Sequence, residues 1–211
     1  MFNATIIVDL GMAKIITVAH QKGGVGKSTL ALNLATCFQG ELSVALVDID
    51  LQGSISDLKD YFPELAIITE DQFDQIKKLS YDLIVIDTPP YLSSRLPELF
   101  QISDYVLVPT KAGFFDVMAI RSTLQLIEAA KKEHQSLKSG IILNMVKPRS
   151  GVTGEVQQLL KSLSVPLLNT VVHDRVSFTR SPLTGGVLSG EDPKAKEEIT
   201  SLAEEIVEAI S

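Results

Sequence analysis

The amino-acid sequence predicts an α/β fold in which helices flank both faces of a mostly parallel, twisted sheet. Short β-branched runs alternate with amphipathic stretches, which is the pattern of successive βαβ units. The runs are apolar throughout, as expected of strands that are covered on both faces. The length of 211 residues suits one domain, and a core of that size forms without disulfides or a structural metal.

The apolar runs and the stretches between them predict the individual elements. Six strands are expected, at residues 14–19, 43–48, 82–87, 105–109, 141–145 and 166–172. Five helices are expected, at residues 28–38, 71–79, 116–134, 154–163 and 194–210. In the last helix, Ile199, Leu202 and Ile206 recur at the spacing of a core-facing stripe. No repeat or linker divides the chain, so we predict one domain over 12–211, preceded by an extension at 1–11 of uncertain status.

Composition excludes several classes of protein. Cys37 is the only cysteine, so one chain holds no disulfide, CxxC pair or cysteine-ligated iron-sulfur cluster, and a cytoplasmic location is expected. The net charge of -7 argues against unregulated binding of nucleic acid by bulk charge. No apolar run approaches the roughly 20 residues of a membrane span, and the polar side of the last predicted helix is acidic, so no membrane partner is expected.

Residues 20–30 read HQKGGVGKSTL and lie between a predicted strand and a predicted helix, which is the context of a phosphate-binding loop. Glycines let the backbone approach an anion closely, and the start of the helix presents free N–H groups. Lys27 can reach the β and γ phosphates, and the Ser28 hydroxyl can bind Mg²⁺. The predicted nucleotide-binding residues are Gly23, Gly24, Val25, Gly26, Lys27, Ser28 and Thr29.

The loop departs from the strict phosphate-loop pattern, because Gln21 stands where glycine is required and Lys22 follows it. The segment KGGVGKST is a deviant Walker A motif, and it resembles that of the ParA/MinD/Soj group of ATPases. The resemblance covers residues 12–211 and implies a P-loop NTPase fold with ATP and Mg²⁺ as cofactors. It also implies that Lys22 acts with Lys27 in catalysis by reaching the phosphates of the partner in a dimer.

Three aspartates follow predicted strands. Asp48 and Asp50 lie in VDIDLQG, which resembles the DxDPQ segment of the same group with leucine in place of proline. By that match, Asp50 positions the attacking water and Asp48 lies near Mg²⁺; the alternative is that these acids cap the following helix. Asp87 ends YDLIVID, which has the form of a Walker B strand that brings a carboxylate beside Mg²⁺ through water.

The base of the nucleotide is expected near two later segments. Asn144 falls where the group carries an Asn or Thr that addresses adenine, although Asn144 could simply end a strand. Residues 172–187 resemble the base-binding loop of the group, but His173 replaces a proline and Asp174 an arginine, so contacts are expected largely from the backbone. The three histidines lack the spacing of metal ligands, so Mg²⁺ is the metal expected.

The resemblance implies a weak basal ATPase that forms an ATP-dependent homodimer and binds nonspecific DNA. A ParB-like partner would stimulate hydrolysis, the ATP form would associate with the nucleoid, and the process would segregate plasmid or chromosomal DNA or position another cargo. The candidate DNA contacts are Lys147, Arg149, Arg175 and Arg180, with Lys111 and Arg121 as weaker candidates. The alternative for these scattered basic residues is an ordinary solvated surface.

Two other functions fit the motifs. One is a metabolic P-loop enzyme resembling dethiobiotin synthetase, and the other is a nucleotide-gated adaptor that recruits a protein. Lys22 favours a dimeric switch over the metabolic enzyme.

Overall fold

The computed structural model describes residues 13–49, 55–69, 80–91, 94–147 and 154–211. The strands in these ranges are β1 (Lys14–Val18), β2 (Val44–Asp48), β3 (Ala66–Thr69), β4 (Leu83–Asp87), β5 (Tyr105–Thr110), β6 (Lys138–Val146) and β7 (Leu167–His173). They form one sheet in the order β3-β2-β4-β1-β5-β6-β7, and every neighbouring pair is parallel. Their carboxyl ends therefore meet along one edge of the sheet.

Helices connect the strands. The α-helices are α1 (Lys27–Phe38), α2 (Leu96–Ile102), α3 (Phe114–Ala119), α4 (Arg121–Glu133), α5 (Gly154–Lys161), α6 (Val176–Arg180) and α7 (Pro193–Ile210). Short 3-10 helices occupy Ser56–Tyr61, Ser181–Leu183 and Val187–Ser189. The predicted α/β class, with a parallel sheet between two helical layers, is confirmed.

All six predicted strands are present, but the prediction missed β3, α2 and α6. Each of these elements has only four to seven residues, too few to show a clear period. The single helix predicted at 116–134 is present as two helices, α3 and α4, with Ile120 between them. The predicted helix at 71–79 and the extension at 1–11 lie outside the described residues.

The core has two halves, one on each face of the sheet. Strand alternation directs Ile16 and Val18 to the face covered by α1 and α7, and Ile15 and Ala19 to the face covered by α2, α4 and α5. Cys37 lies buried in the first half, where burial raises its pKa to about 11, so it behaves as a small apolar side chain. Among the described residues, no helix combines the length and apolar character needed to cross a membrane.

The last helix has two roles in the fold. Its predicted apolar stripe is confirmed, since Ile199, Leu202 and Ile206 are fully buried. Its polar side reaches the edge strand β7, where Glu205 accepts hydrogen bonds from the backbone N–H groups of Asn169 (2.8 Å) and Thr170 (2.6 Å). These contacts satisfy backbone donors that an edge strand would otherwise leave without a protein partner.

Candidate nucleotide-binding site

The loop between β1 and α1 has the conformation of an anion cradle. Gly24 and Gly26 have φ of 71° and 86°, angles that residues with a Cβ rarely adopt. A Cβ at Gly26 would also collide with the amide of Asn144. These glycines therefore allow the loop to turn directly into α1, so that the free N–H groups of the helix face the space above the sheet.

That space is a cavity of about 210 Å³ at the start of α1. Its lining residues are Gly23, Gly24, Gly26, Lys27, Ser28, Thr29, Thr88 and Pro90. Lys27 is 6% exposed, and its Nζ donates to the carbonyl oxygen of Lys22 at 3.3 Å. A helix N-terminus, glycine backbone and a buried lysine together suit a polyphosphate.

Two of the predicted carboxylates end neighbouring strands, and Asp87 directly precedes Thr88, which lines this cavity. Asp48 and Asp87 are paired in register at the ends of β2 and β4, and Asp87 is also level with Val18 of β1. Both are buried. Asp48 accepts a hydrogen bond from the N–H of Ile55 (3.0 Å), which directly precedes a 3-10 helix. Asp48 therefore makes one contact of the kind that the helix-capping alternative expects. Asp50 lies outside the described residues.

The donor set fits Mg²⁺ bound together with a nucleotide. Among the described residues, no three His, Cys, Asp or Glu side chains cluster to hold a metal alone. Mg²⁺ usually keeps several waters and takes one or two protein ligands plus phosphate oxygens. The Ser28 hydroxyl in the cavity and the carboxylates of Asp48 and Asp87 at the adjacent strand ends supply that kind of environment.

The segment that follows β4 contacts the loop. The Thr88 hydroxyl donates to the carbonyl oxygen of Val18 at 2.9 Å, and the Tyr91 N–H donates to that of Gln21 at 3.1 Å. Pro90 lines the phosphate cavity. Binding or loss of a phosphate in the cavity would therefore affect residues 88–91 through direct contacts.

Lys22 occupies a different position from Lys27. Its side chain is 42% exposed, and its Nζ is 2.5 Å from the Oδ1 of Asp116 in α3. Lys27 points into the loop, whereas Lys22 lies at the rim and is paired with an acid of the same chain. The sequence reading missed Asp116 as a partner, because 94 residues separate it from Lys22 and no motif marks it.

His20 forms a hydrogen bond with the backbone of the phosphate-binding loop. It is 1% exposed, and its Nδ1 accepts the backbone N–H of Lys22 at 2.7 Å. Burial, followed by the positive charges of Lys27 and Lys22, lowers the pKa of His20 to about 4, although Asp116 opposes the shift. The imidazole is therefore neutral near pH 7, and a ring with an acceptor at Nδ1 carries its proton on Nε2.

A second cavity of about 290 Å³ continues from the phosphate cavity and shares Gly24, Gly26 and Thr29 with it. Its other lining residues are Leu30, Asn144, Met145, His173, Asp174, Arg175, Phe178 and Thr179. The mixture of apolar walls and a few polar groups suits a nucleobase and ribose. The predicted base residues Asn144 and His173 are thus brought to one cavity.

Asn144 joins the two cavities. Its Nδ2 donates to the carbonyl oxygen of Val25 at 2.8 Å, across 119 residues of sequence. The alternative that Asn144 simply ends a strand is wrong, because β6 continues to Val146. Met145, next in the chain, has φ of 57° and is 40% exposed at the cavity. Asn144 therefore braces the phosphate loop from the base side.

A carboxylate of α7 organises the far wall of the base cavity. Glu198 Oε1 lies 2.8 Å from His173 Nδ1 and accepts from Arg175 Nε (3.1 Å) and Nη2 (2.7 Å). Its Oε2 accepts the His173 backbone N–H at 3.0 Å. The sequence reading missed Glu198, because α7 was interpreted through its apolar stripe and its overall acidity.

Three of the four main candidate DNA-contacting residues are in the described part of the chain, and they follow β6 or β7 in sequence. Lys147 follows β6 and is exposed, and Arg180 is exposed at the end of α6. Arg175 lines the base cavity and pairs with Glu198. Arg149 lies outside the described residues. DNA contact by these side chains stays a prediction.

The parallel sheet, the glycine cradle with its buried lysine and the paired aspartates together define a P-loop nucleotide-binding protein. Residues 16–188 match the family described as the CobQ/CobB/MinD/ParA nucleotide binding domain. The chain belongs to this family, and the resemblance to the ParA/MinD/Soj group is confirmed.

Individual relatives are consistent with that assignment. The chain is 30% identical over 207 residues to the maintenance of carboxysome distribution protein A of Halothiobacillus neapolitanus, with 91% of this chain and 95% of that protein covered. Its fold is similar to that of a plasmid partition protein of Borrelia burgdorferi B31 bound to AMPPNP, with a TM-score of 0.67, 22% identity and 93% and 99% of the two chains covered. It is also similar to the septum site-determining protein MinD of Pyrococcus horikoshii OT3 complexed with Mg-ADP, with a TM-score of 0.67, 22% identity and 92% and 96% covered.

Proposed function

We propose that this chain is a Mg²⁺-dependent ATPase that dimerises on binding ATP and positions a cargo by nucleotide-gated binding to nonspecific DNA. The cargo is plasmid or chromosomal DNA, or a protein assembly. The 30% identical relative is named for carboxysome distribution, which supports a positioning role over a metabolic one.

The contrast between the two lysines carries the proposal. Lys27 is buried in the loop, where it serves the nucleotide of its own chain. Lys22 is at the rim, exposed enough to meet a second molecule. A positive charge supplied by a partner stabilises the charge that develops on the phosphates during hydrolysis. In the dimer, Lys22 would exchange Asp116 for the partner's phosphates.

The other site residues take roles that follow from their places. The loop backbone, Lys27 and Thr29 would bind the phosphates, and Ser28 would hold Mg²⁺ together with Asp48 and Asp87. Bound Mg²⁺ neutralises phosphate charge. Asp50 positions the attacking water by the same family match.

Gating by a dimer has a simple electrostatic basis. With a net charge of -7, one chain has a weak affinity for DNA, and only local basic residues such as Lys147 and Arg180 favour it. Two copies held together join their patches, and each phosphate neutralised adds to affinity and to salt sensitivity. A ParB-like partner, or its counterpart on another cargo, would then trigger hydrolysis and release.

The test is binding to nonspecific duplex DNA at fixed low salt, compared for the nucleotide-free, ADP and ATP-plus-Mg²⁺ forms, with ATPase rate read in the same samples. The proposal predicts binding confined to the ATP form, and the double variant Lys147→Ala/Arg180→Ala should weaken it while ATPase rate is kept. ATPase activity without DNA binding in any state would instead favour a protein-recruiting adaptor or a metabolic enzyme.

A further inference from the structure

The far wall of the base cavity consists of a short segment at the edge of the sheet. His173 ends β7, and Asp174 and Arg175 form the turn into α6, which contributes Phe178 and Thr179. In the described part of the sheet, β7 pairs only with β6, and the β6–β7 register shifts on both sides of Leu143. Pairing holds the backbone of this wall, because His173 is level with Val146 and the Asp174 N–H donates to the Val146 carbonyl oxygen at 2.9 Å. The directions of the His173 and Arg175 side chains depend on contacts from another element.

Glu198 supplies those contacts from α7. Its carboxylate lies 2.7–3.1 Å from three polar nitrogen atoms in the His173 and Arg175 side chains and accepts the His173 backbone N–H. The side chain is 12% exposed, and it is absent from the residues that line the cavity. Glu198 thus acts on the cavity from behind, through two residues that do line it.

We propose that Glu198 is a positioning residue for the nucleobase end of the site, an inference that rests on the proposed nucleotide-binding function. Charge-assisted hydrogen bonds fix the planar guanidinium of Arg175 and the ring of His173 in one arrangement before a nucleotide arrives. Ordering two such side chains costs conformational entropy. When they are ordered before the nucleotide binds, this cost does not reduce the affinity. The base and ribose therefore bind more tightly, and the phosphates are unaffected.

The same helix offers a matched control. Glu205 lies two turns after Glu198 and also accepts backbone N–H groups of β7, those of Asn169 and Thr170. Neither of those residues lines the base cavity. Removing Glu205 therefore removes the same kind of contact between helix and edge strand without touching the cavity wall.

The experiment measures the dissociation constants of ATP and of inorganic tripolyphosphate, both with Mg²⁺, for the full chain and its variants. Tripolyphosphate probes the phosphate cavity alone. Glu198→Ala should raise the constant for ATP about tenfold and leave that for tripolyphosphate unchanged, because about 1.4 kcal/mol of hydrogen-bonded ordering is lost only at the base end. Glu205→Ala should change neither constant. Thermal unfolding without ligand checks that the variants fold.

Glu198→Gln, which keeps the volume and one acceptor, should show a smaller rise of about threefold and serves if the alanine variant does not fold. An unchanged ATP constant in a folded Glu198 variant, equal losses for both ligands, or an equal effect of Glu205→Ala would overturn the positioning role. Failure of the wild-type chain to bind ATP at all would instead overturn the proposed function together with this inference, so the two failures are distinguishable.

Discussion

The phosphate end and the base end of the site are built in different ways. At the phosphate end, backbone conformation and strand ends position the functional groups. Gly24 and Gly26 shape the loop, and Asp48 and Asp87 lie at the ends of paired strands. At the base end, side chains from distant parts of the sequence hold the cavity, as Asn144 holds Val25 and Glu198 holds Arg175. The first is anchored on β1, β2 and β4, and the second on β6 and the edge strand β7.

The two ends therefore respond differently to substitution. The phosphate end depends on a few groups that have no substitute, so a single change there should remove binding. The base end distributes its support over several hydrogen bonds, each of which contributes roughly 0.5–3 kcal/mol. Changes there should grade affinity or stability without abolishing either.

The largest expected effect comes from Lys27→Ala, at the phosphate end. Because Lys27 is the buried cation of the phosphate cavity, its loss should weaken ATP binding by at least about a hundredfold. Titration calorimetry of ATP with Mg²⁺ measures this, and Lys132→Ala, an exposed lysine of α4, is the control. If the dissociation constant of Lys27→Ala for ATP stayed within a few-fold of the wild-type value, the phosphate end would not depend on single groups as described.

The next effect concerns His20 and pH. The folded chain keeps His20 neutral down to about pH 4, whereas the unfolded chain binds a proton below its ordinary pKa of 6.5. Stability should therefore fall as the pH falls from 6.5 to about 4 and level off below, by about 3 kcal/mol in total from this group. Urea unfolding across that range measures the change. His20→Asn keeps an acceptor for the Lys22 N–H but cannot titrate, so its free energy of unfolding should depend less on pH. Identical pH dependence of the two proteins would show that His20 does not contribute to this loss of stability.

A smaller effect is expected from Asn33, which ties α1 to the segment after α6. Its Oδ1 accepts the buried Val187 N–H at 2.8 Å, and its Nδ2 donates to Ser181 Oγ at 2.9 Å. Asn33→Leu keeps the size but leaves the Val187 N–H without this acceptor, at a cost of about 2 kcal/mol in the free energy of unfolding. Asn169→Ala, an exposed position, should change it by less than about 0.5 kcal/mol. Equal costs in the two variants would contradict the bracing role.

The sequence predicts the phosphate end well, because its signals are local. The loop glycines, Lys27 and the strand-end aspartates each stand in a motif whose context is visible in neighbouring residues, and the structure places Asp48 and Asp87 side by side. Strand prediction succeeds for the same reason, since fully buried parallel strands leave continuous apolar runs. The edge strand β3 is missed because its four residues are too few to form such a run.

The contacts that support the site could not be predicted in this way. Asp116 meets Lys22 across 94 residues, and Glu198 meets His173 across 25, so their roles depend on how the helices are placed on the sheet. Both acids look like ordinary polar residues of amphipathic helices. The sequence alone contains no pattern that pairs either of them with a residue of the site.

The most direct test of the central claim, that Lys22 acts across an ATP-dependent dimer, is the mass of the chain in solution with ATP and Mg²⁺, measured by light scattering for the wild type and Lys22→Ala. The mass of the wild type should rise from 22.9 kDa to twice that value with ATP and not with ADP. Lys22→Ala should bind ATP with unchanged affinity and remain at 22.9 kDa. A Lys22→Ala chain that dimerises and hydrolyses ATP like the wild type would contradict the account.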